Sequence, residues 1–370
     1  MKLKKLPSNS LMDSVLLCCG SNGSGQLGLG HKNDLNHLEK VQFNLTGFEP
    51  VKVVCGGNHT LVLGKDGSVF GSGLAMGRLA ALEIENLKKF ERIEGIYKDI
   101  AAGWEFSILV NCKNEIFAFG EGFNGELGLG KGTHKAKASK CKLNFKAKDD
   151  IKMIKASIHS VILQLSNGEI YAWGNNKRGQ LLNFGMDKSL KVLWEPTLLP
   201  FEDTVLDWAM GREFTVFLTK SKQGNLRLKF KGKDTFNIEH SMSQLKDLSN
   251  VKLLAMWTSL HCEINSTLFS FGNSSHGQLY AFDHNQKSLF TVGSEHGLCY
   301  DNVNHSVLSW GWGEHGNCGL PPDATEITNV TFDFLNTLYK VPKQKEVVGL
   351  FGGCASSWVL VKDPTTSSCC

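Results

Sequence analysis

The sequence lacks the features of a membrane-spanning or secreted protein. Nowhere in its 370 residues is there an apolar run of about 18 residues, which a transmembrane helix requires. The opening MKLKKLP is not followed by a signal-peptide core. Eleven cysteines are present, but no Cys-x-x-Cys pair occurs, so zinc-ribbon and thioredoxin-like sites lose their main support. These absences predict no membrane contact and reduced thiols in a reducing compartment.

Proline and net charge are also scarce, whereas glycine is abundant. Only 8 prolines occur, and 40 basic against 36 acidic residues give a net charge of +4. Nucleic-acid-binding domains usually carry a strong basic stripe, so no DNA partner is expected, and only a weak contact with tRNA remains open. The 39 glycines exceed the usual share and indicate many turns.

A unit of about 49 residues recurs along the chain. Its first half is a strand, a step of small residues and a second strand, as in CGGNHTLVL. Repeats of 40 to 50 residues with several short strands indicate propeller blades. The seven copies are Cys55–Leu63, Ala101–Leu109, Lys155–Leu163, Ala209–Phe217, Ala255–Ile264, Thr291–Leu298 and Phe351–Leu360.

The second half of the unit is an alternating strand that ends in glycine, as in IYAWG, and a G-x-x-x-x-G-[QE]-L loop follows it. The chain begins with a second half, Leu16–Gly28, and its last repeat element is a first half, Phe351–Val361. We therefore expect an all-β, seven-bladed propeller closed by N- and C-terminal strands paired in one blade. The expected boundaries are a flexible tail over 1–14, the propeller over 15–362 and a second tail over 363–370, whose Cys369-Cys370 remains unassigned.

Two segments depart from the repeat. The fourth blade is degenerate, because NLRLKFKG (225–232) lacks the aromatic residue before its final glycine. An insert over 323–345 is longer than its counterparts, and we expect it to form a surface loop with a short helix.

These repeats resemble those of the regulator of chromosome condensation family, whose members are seven-bladed propellers. Within that family, four strings are similar to those of a member that binds a small CSL zinc-finger protein: MWTSLH, GSEHG, WGWGEHGNCG and FGGCASSW. This resemblance implies a non-enzymatic scaffold in the cytoplasm and nucleus, which forms a heterodimer with that zinc-finger protein. The partner carries zinc or iron, and the scaffold has no cofactor of its own. Diphthamide synthesis on elongation factor 2 and Elongator-dependent modification of tRNA wobble uridines are the implied pathways.

The resemblance also offers an alternative, a guanine-nucleotide exchange factor for a Ran-like small GTPase. Nucleotide exchange of this kind requires an inserted wedge that displaces the nucleotide. Two glycine-rich strings resemble nucleotide-binding motifs but do not predict a nucleotide site within the chain. GSGQLG (23–28) is not followed by the helix of a dinucleotide fold, and GELGLGKG (125–132) has glycine where a P-loop has serine or threonine. No catalytic residue and no metal ligand is assigned.

Bulky polar residues on the loops are the candidate partner-binding set. Repeats place equivalent loops around one face of the ring, and loops on a rigid scaffold often carry function. Tryptophan is enriched at the centres of interfaces. His59 and His159, by contrast, are expected to bond neighbouring blades. The candidates are Trp104, Glu105, Trp257, His261, Glu295, His296, Trp312, Glu314 and His315.

Overall fold

The computed structural model describes residues 14–74, 86–136, 141–182, 190–280, 287–322, 324–326 and 330–363. The predicted tails over 1–14 and 363–370 lie almost entirely outside this part of the chain. Within it, seven antiparallel sheets follow one another. Each sheet is one blade, and the blades are numbered I to VII here.

Blade VII joins the two ends of the chain. It contains β1 (Val15–Gly20) and β2 (Leu35–Lys40), together with β25 (Glu346–Gly352) and β26 (Ser356–Lys362). Strand β1 pairs antiparallel with β26, with Leu16 opposite Leu360. The predicted closure of the ring by both ends is therefore confirmed.

The other blades follow in chain order. Blade I is β3 (Pro50–Cys55), β4 (His59–Gly64), β5 (Val69–Leu74) and β6 (Asn86–Ile93), and blade II is β7 (Tyr97–Ala102), β8 (Phe106–Asn111), β9 (Ile116–Glu121) and β10 (Lys135–Ala136). Blade III is β11 (Ile151–Ala156), β12 (Ser160–Leu165), β13 (Ile170–Asn175) and β14 (Val192–Leu198). Blade IV is β15 (Thr204–Met210), β16 (Phe214–Lys220) and β17 (Leu226–Gly232), and the helix α1 (Ile238–Met242) follows it. Blade V is β18 (Val251–Ala255), β19 (Ser259–Ile264) and β20 (Thr267–Gly272), and blade VI is β21 (Lys287–Val292), β22 (His296–Asp301), β23 (Ser306–Trp312) and β24 (Thr331–Lys340).

The insert over 323–345 differs from the expected loop with a short helix. Its described residues contain β24, a ten-residue strand that pairs with β23 at the outer edge of blade VI. Phe332 and Asn336 are buried, and its other side chains are half-buried or exposed. A mostly accessible strand of this kind can cover a sheet edge.

The first strand of every blade lies at the centre of the ring. Six of the seven neighbouring pairs of first strands are in contact, and Lys155 of β11 joins the seventh pair through Asp207 of β15. Because neighbouring strands are antiparallel, two connections meet at the same end of each blade. One is the turn from the first to the second strand, and the other is the loop that leaves the third strand. We call this end of the ring the top face.

Tryptophan and charge hold neighbouring blades together. Trp173 and Trp310 are fully buried, and each indole N–H donates to a backbone carbonyl of the preceding blade, on Glu126 and Gln278. Both rings therefore lie between blades. Inner-strand lysines also reach across, since Lys52 pairs with Asp99 at 2.6 Å. The pair between Lys155 and Asp207 repeats this contact two blades further on.

A glycine that is the last or next-to-last residue of each third strand has a specific steric role. All seven have a positive φ between 92° and 129°. An added Cβ would lie within 3 Å of a carbonyl oxygen in the first turn of the same blade. The N–H of the next residue donates to that same oxygen at 2.8–3.1 Å. The glycines are Gly20, Gly73, Gly120, Gly174, Gly232, Gly272 and Gly311, so even the degenerate blade IV keeps this contact.

The G-x-x-x-x-G-[QE]-L loops are also explained by their own hydrogen bonds. In four of them, the Gln or Glu side chain accepts the N–H of the residue two positions earlier at 2.5–3.0 Å. The motif therefore shapes the loop that leaves the third strand, and the glycine-rich strings of 23–28 and 125–132 belong to such loops. The residues that close the loops in this way are Gln26, Glu126, Gln180 and Gln278.

The substitution Gly120→Ala is expected to destabilise the protein strongly. Gly120 has φ +98°, and an added Cβ would strike the Glu105 carbonyl. Gly168 is the matched control, because it has φ +91° with nothing within 4 Å of an added Cβ. Gly168→Ala should cost about 1–2 kcal/mol of left-handed strain, and Gly120→Ala about 1–3 kcal/mol more through the clash. Urea denaturation measures both, and equal losses would contradict the steric role of Gly120.

Candidate functional site

The centre of the top face is a ring of seven first turns. At an equivalent position in five of these turns, the backbone N–H donates to a carbonyl of the next blade. The five bonds, of 2.8–2.9 Å, run from Gly57 to Trp104, Trp104 to Ile158, Arg212 to Trp257, Trp257 to Ser294 and Ser294 to Gly353. We call this ring the mouth. Its backbone is rigid because each turn is bonded to its own blade and to a neighbour.

Two tryptophans meet across the mouth. Trp104 belongs to blade II and Trp257 to blade V, yet their ring centroids are 5.6 Å apart. Below them lies an axial cavity of about 310 Å³. It stays open because most inner strands place small residues at its upper rim, as Ala102 and Gly352 do. The sequence expectation that these two loops converge agrees with the structure.

Glu105 and Glu314 are exposed on the top face. The backbone of Glu105 is fixed, since its carbonyl accepts the Glu121 N–H at 2.9 Å, while its side chain faces solvent. Glu314 lies on the loop that leaves β23. Its neighbour His315 is half-buried and pairs with Asp34 of blade VII at 2.7 Å. That pair ties two neighbouring loops together.

Trp312 connects blades V and VI. Its ring stacks on that of His276, with centroids 4.6 Å apart and planes 10° apart. The His276 Nδ1 lies 3.1 Å from the Thr331 hydroxyl of blade VI. Trp312 is half-buried, so only part of its ring faces solvent.

Glu295 is buried inside the top face. Its side chain is 5% exposed, and it accepts hydrogen bonds from the Thr258 hydroxyl at 2.8 Å and the Gln278 amide at 3.2 Å. Burial raises the pKa of Glu295, and the bonds from Thr258 and Gln278 and the charge of Arg212 oppose that rise. Glu295 therefore joins blades V and VI, and its buried side chain is not accessible to a partner.

His261 and His296 are also buried, which leaves them no surface for a partner. The His296 Nε2 lies 3.0 Å from the Ser357 hydroxyl of blade VII. His59 makes the equivalent bond to Ser107 of blade II at 2.8 Å, as expected for a residue that bonds neighbouring blades. His261 lies between two hydroxyls of its own blade, 2.9 Å from each. Burial lowers the pKa of His59 and His296 to about 4 and that of His261 to about 3.

His159, expected to play the same structural part, is only partly buried, and its Nδ1 lies 3.1 Å from the Glu126 carboxylate of blade II. This contact also joins blades, but through a carboxylate in place of a hydroxyl.

Sequence reasoning missed a second group on the top face. Arg212 occupies the same position in its turn as Trp104 and Trp257 do in theirs, and it is exposed. Beside it lie Lys233 and the exposed Phe236. Alignment of the seven first turns carries the signal, because Arg212 is the charged member of a mouth position that otherwise holds apolar or small residues.

No cluster of three or more potential metal ligands is found in the described part of the chain. None of the described residues belongs to a helix with the length and apolar character of a membrane span.

Comparison with known proteins places this fold among the propellers of one repeat type. The family model for the regulator of chromosome condensation (RCC1) repeat matches residues 13–63 and 167–218. These two segments are therefore similar to the RCC1 repeat. An RCC1 repeat-containing protein of Schizosaccharomyces pombe is 25% identical over 94% of this chain and 99% of its own length. The chain is thus similar to RCC1 repeat proteins over nearly its whole length.

Solved structures agree with the architecture. Human WBSCR16 has a TM-score of 0.76 at 15% identity and covers 95% of this chain and 99% of its own. Prp20p of Saccharomyces cerevisiae has a TM-score of 0.76 at 17% identity and covers 96% of this chain and 93% of its own. Its structure is described together with its binding to Gsp1p and histones. At such identities the likeness shows the fold alone.

The relatives correct the expected function and partner. The secretion-regulating guanine nucleotide exchange factor of Mus musculus is 24% identical over 92% of this chain and 82% of its own length. An RCC1-like G exchanging factor-like protein of the same species is 27% identical over 55% of this chain. The prediction of a non-enzymatic scaffold for a CSL zinc-finger protein is therefore wrong. The predicted partners in Elongator and diphthamide synthesis are wrong as well. The expectation that the chain is not an enzyme is wrong for the same reason.

Acid is expected to destabilise the protein partly through its buried histidines. Since the pKa of His296 is lowered in the folded state, only the unfolded chain binds this proton near pH 5, so stability falls as the pH drops below ~6.5. Between pH 7 and pH 5, the free energy of unfolding should therefore fall by roughly 2 kcal/mol less in His296→Gln than in the wild type. Urea denaturation at both pH values measures the difference. His37→Gln is the control, because His37 is exposed. An acid loss as large in His296→Gln as in the wild type would contradict the assignment.

Proposed function

We propose that this chain is a guanine-nucleotide exchange factor for a small GTPase, with the top face as its docking surface. The observation that carries the proposal is the extent of the similarity to named exchange factors. The protein of Mus musculus matches 92% of this chain, and that of Bos taurus matches 85% at 24% identity. The similarity therefore extends over the whole propeller and not over a single repeat.

The chemistry of exchange agrees with what the chain contains. Release of a bound nucleotide breaks no covalent bond, so an exchange factor acts by differential binding. It binds the nucleotide-free GTPase more tightly than the nucleotide-bound form, and by linkage it weakens the affinity for nucleotide by the same factor. No nucleophile or metal of its own is required, and the loss of affinity appears as faster release.

The top face has the properties of a docking surface. Its mouth is rigid, because backbone bonds join the first turns of neighbouring blades. Trp104 and Trp257 present large, partly exposed rings at the centre, with the charged side chains of Glu105, Arg212 and Glu314 exposed on the same face. A central aromatic anchor surrounded by polar groups is the usual arrangement of a protein interface.

A fluorescence assay of nucleotide release tests the function. Purified small GTPases loaded with a fluorescent GDP analogue, a Ran-like GTPase first, are mixed with excess GTP and the chain at one-tenth of the GTPase concentration. The proposal predicts that release from one of them accelerates at least 100-fold and continues past one turnover per propeller. No acceleration on any member of a panel that covers the Ran, Rab, Rho, Arf and Ras classes would overturn the proposal. The predicted cytoplasmic and nuclear location and the absence of a cofactor remain predictions.

Removal of a mouth tryptophan should impair exchange without unfolding the propeller. Trp104→Ala and Trp257→Ala are each expected to lower kcat/KM for release at least tenfold, since a central aromatic anchor contributes about 2 kcal/mol or more. Trp194→Ala is the matched control, because Trp194 lies on the outer strand of blade III. Circular dichroism confirms that each variant is folded. An equal loss in the Trp194 control would exclude a specific role of the mouth.

A further inference from the structure

Blade IV carries a distinct element on the top face. Its third strand, β17, leads into a loop and the short helix α1, in place of the outer strand that β24 provides in blade VI. Ile238 and Met242 bury the helix against the blade. The Asp234 carboxylate accepts the N–H groups of Ile238 and Glu239 at 2.7 and 2.9 Å. The loop is therefore held in place, although Phe236 at its tip is 39% exposed.

A groove lies between this loop and the mouth. Its volume is about 240 Å³. A buried apolar cavity of about 150 Å³ holds a benzene molecule, so the groove has room for one aromatic side chain. We call it the α1 groove. Its walls include Arg212, Phe214, Lys233, Phe236, Ile238 and Trp257.

The walls of the α1 groove carry more positive than negative charge. Glu213 is its one acidic wall residue. That carboxylate lies between two cations, 3.0 Å from the Arg178 Nε and 3.9 Å from the Lys233 Nζ. Arg212 is exposed, and among the described residues no carboxylate lies within ion-pair distance of its guanidinium. Asp234 is occupied by its bonds to α1. The groove walls therefore carry two cations, Arg212 and Lys233, and one carboxylate, Glu213, which Arg178 also contacts. The buried Glu295, which accepts a bond from the wall residue Thr258, also interacts with the charge of Arg212.

We propose that the α1 groove docks an acidic segment of a protein partner that inserts one aromatic side chain. The ring enters between Phe236 and Trp257, and the flanking carboxylates face Arg212 and Lys233. We choose an acidic segment because its charge complements Arg212 and Lys233. We choose an aromatic residue because the walls of the groove are partly apolar. This inference deepens the proposed function, since the segment would belong to the GTPase that docks on the same face.

Peptide binding tests the groove independently of exchange. A fluorescein-labelled peptide with a central tryptophan flanked by three glutamates on each side is titrated with the full chain, and anisotropy is recorded at 50 mM and 500 mM salt. We expect saturable binding that weakens at high salt, because its charged contacts are partly exposed. Replacement of the tryptophan by alanine, or of the glutamates by lysines, should each weaken binding at least tenfold.

Variants of the chain locate the contact. Arg212→Glu, Lys233→Glu and Phe236→Ala should each weaken binding of the acidic peptide at least fivefold. Lys222→Glu is the matched control, because Lys222 is exposed in the β16–β17 turn at the opposite end of the same blade. It makes the same change in net charge as the other reversals and should leave affinity unchanged. An equally large loss of affinity in Lys222→Glu would show that only the overall charge of the chain matters, and it would overturn the site.

Two further outcomes separate this inference from the exchange activity. Peptide binding that depends on Arg212, in a chain that accelerates no GTPase, supports the groove and contradicts the proposed function. Exchange activity without measurable peptide binding overturns the groove and leaves the function standing. A labelled oligouridine that binds through Arg212 more tightly than the acidic peptide would also overturn it, because the groove would then recognise phosphate.

Discussion

The contact between a glycine and a turn carbonyl recurs in every blade, and the rest of the structure depends on it. A glycine with positive φ lets the third strand approach the first turn until the next N–H donates to the turn carbonyl. Any side chain at the glycine would collide with that oxygen. The contact fixes the first turns, and these turns form the mouth where Trp104 and Trp257 meet. The geometry of the candidate site is thus set by backbone sterics and not by its own side chains.

Closure of the ring is the second constraint. Pairing of β1 with β26 joins the chain ends and leaves no open edge between the first and last blades. Contacts between blades run both ways around the ring, since Trp173 and Trp310 donate to the preceding blade. Lysines of one inner strand reach an aspartate of the next, and buried histidines reach a serine of the next blade. These contacts explain why polar residues that depart from the repeat are found inside the top face.

The sequence predicted the fold well because its signals are local and periodic. A repeat of about 49 residues, glycine after each third strand and complementary chain ends are readable without tertiary information. The insert over 323–345 was predicted poorly, because a strand at a sheet edge depends on the neighbouring β23 for its pairing. The site was predicted only in part. Alignment of the repeats places Trp104 and Trp257 on one face, but it does not show whether a side chain points outward or toward the next blade.

That ambiguity also explains why the sequence predicted the wrong partner. The strings that suggested a zinc-finger partner are largely buried: Glu295 and His296 join blades, and Asn317, Cys318 and Trp358 are inaccessible. Similarity in such strings reports how the blades pack and does not report what the surface binds. Arg212 went unnoticed for the converse reason. A single exposed arginine carries no motif, and only its place at the mouth beside Trp257 gives it meaning.

We expect the top face to be the surface that binds a GTPase. Hydrogen–deuterium exchange of the chain alone and in complex with a nucleotide-free GTPase measures this. Amide exchange should slow at the first turns of blades II, IV and V, around 103–106, 211–214 and 256–259, and should not change at the turns between second and third strands. Protection confined to those opposite turns, or to the outer strands, would contradict it.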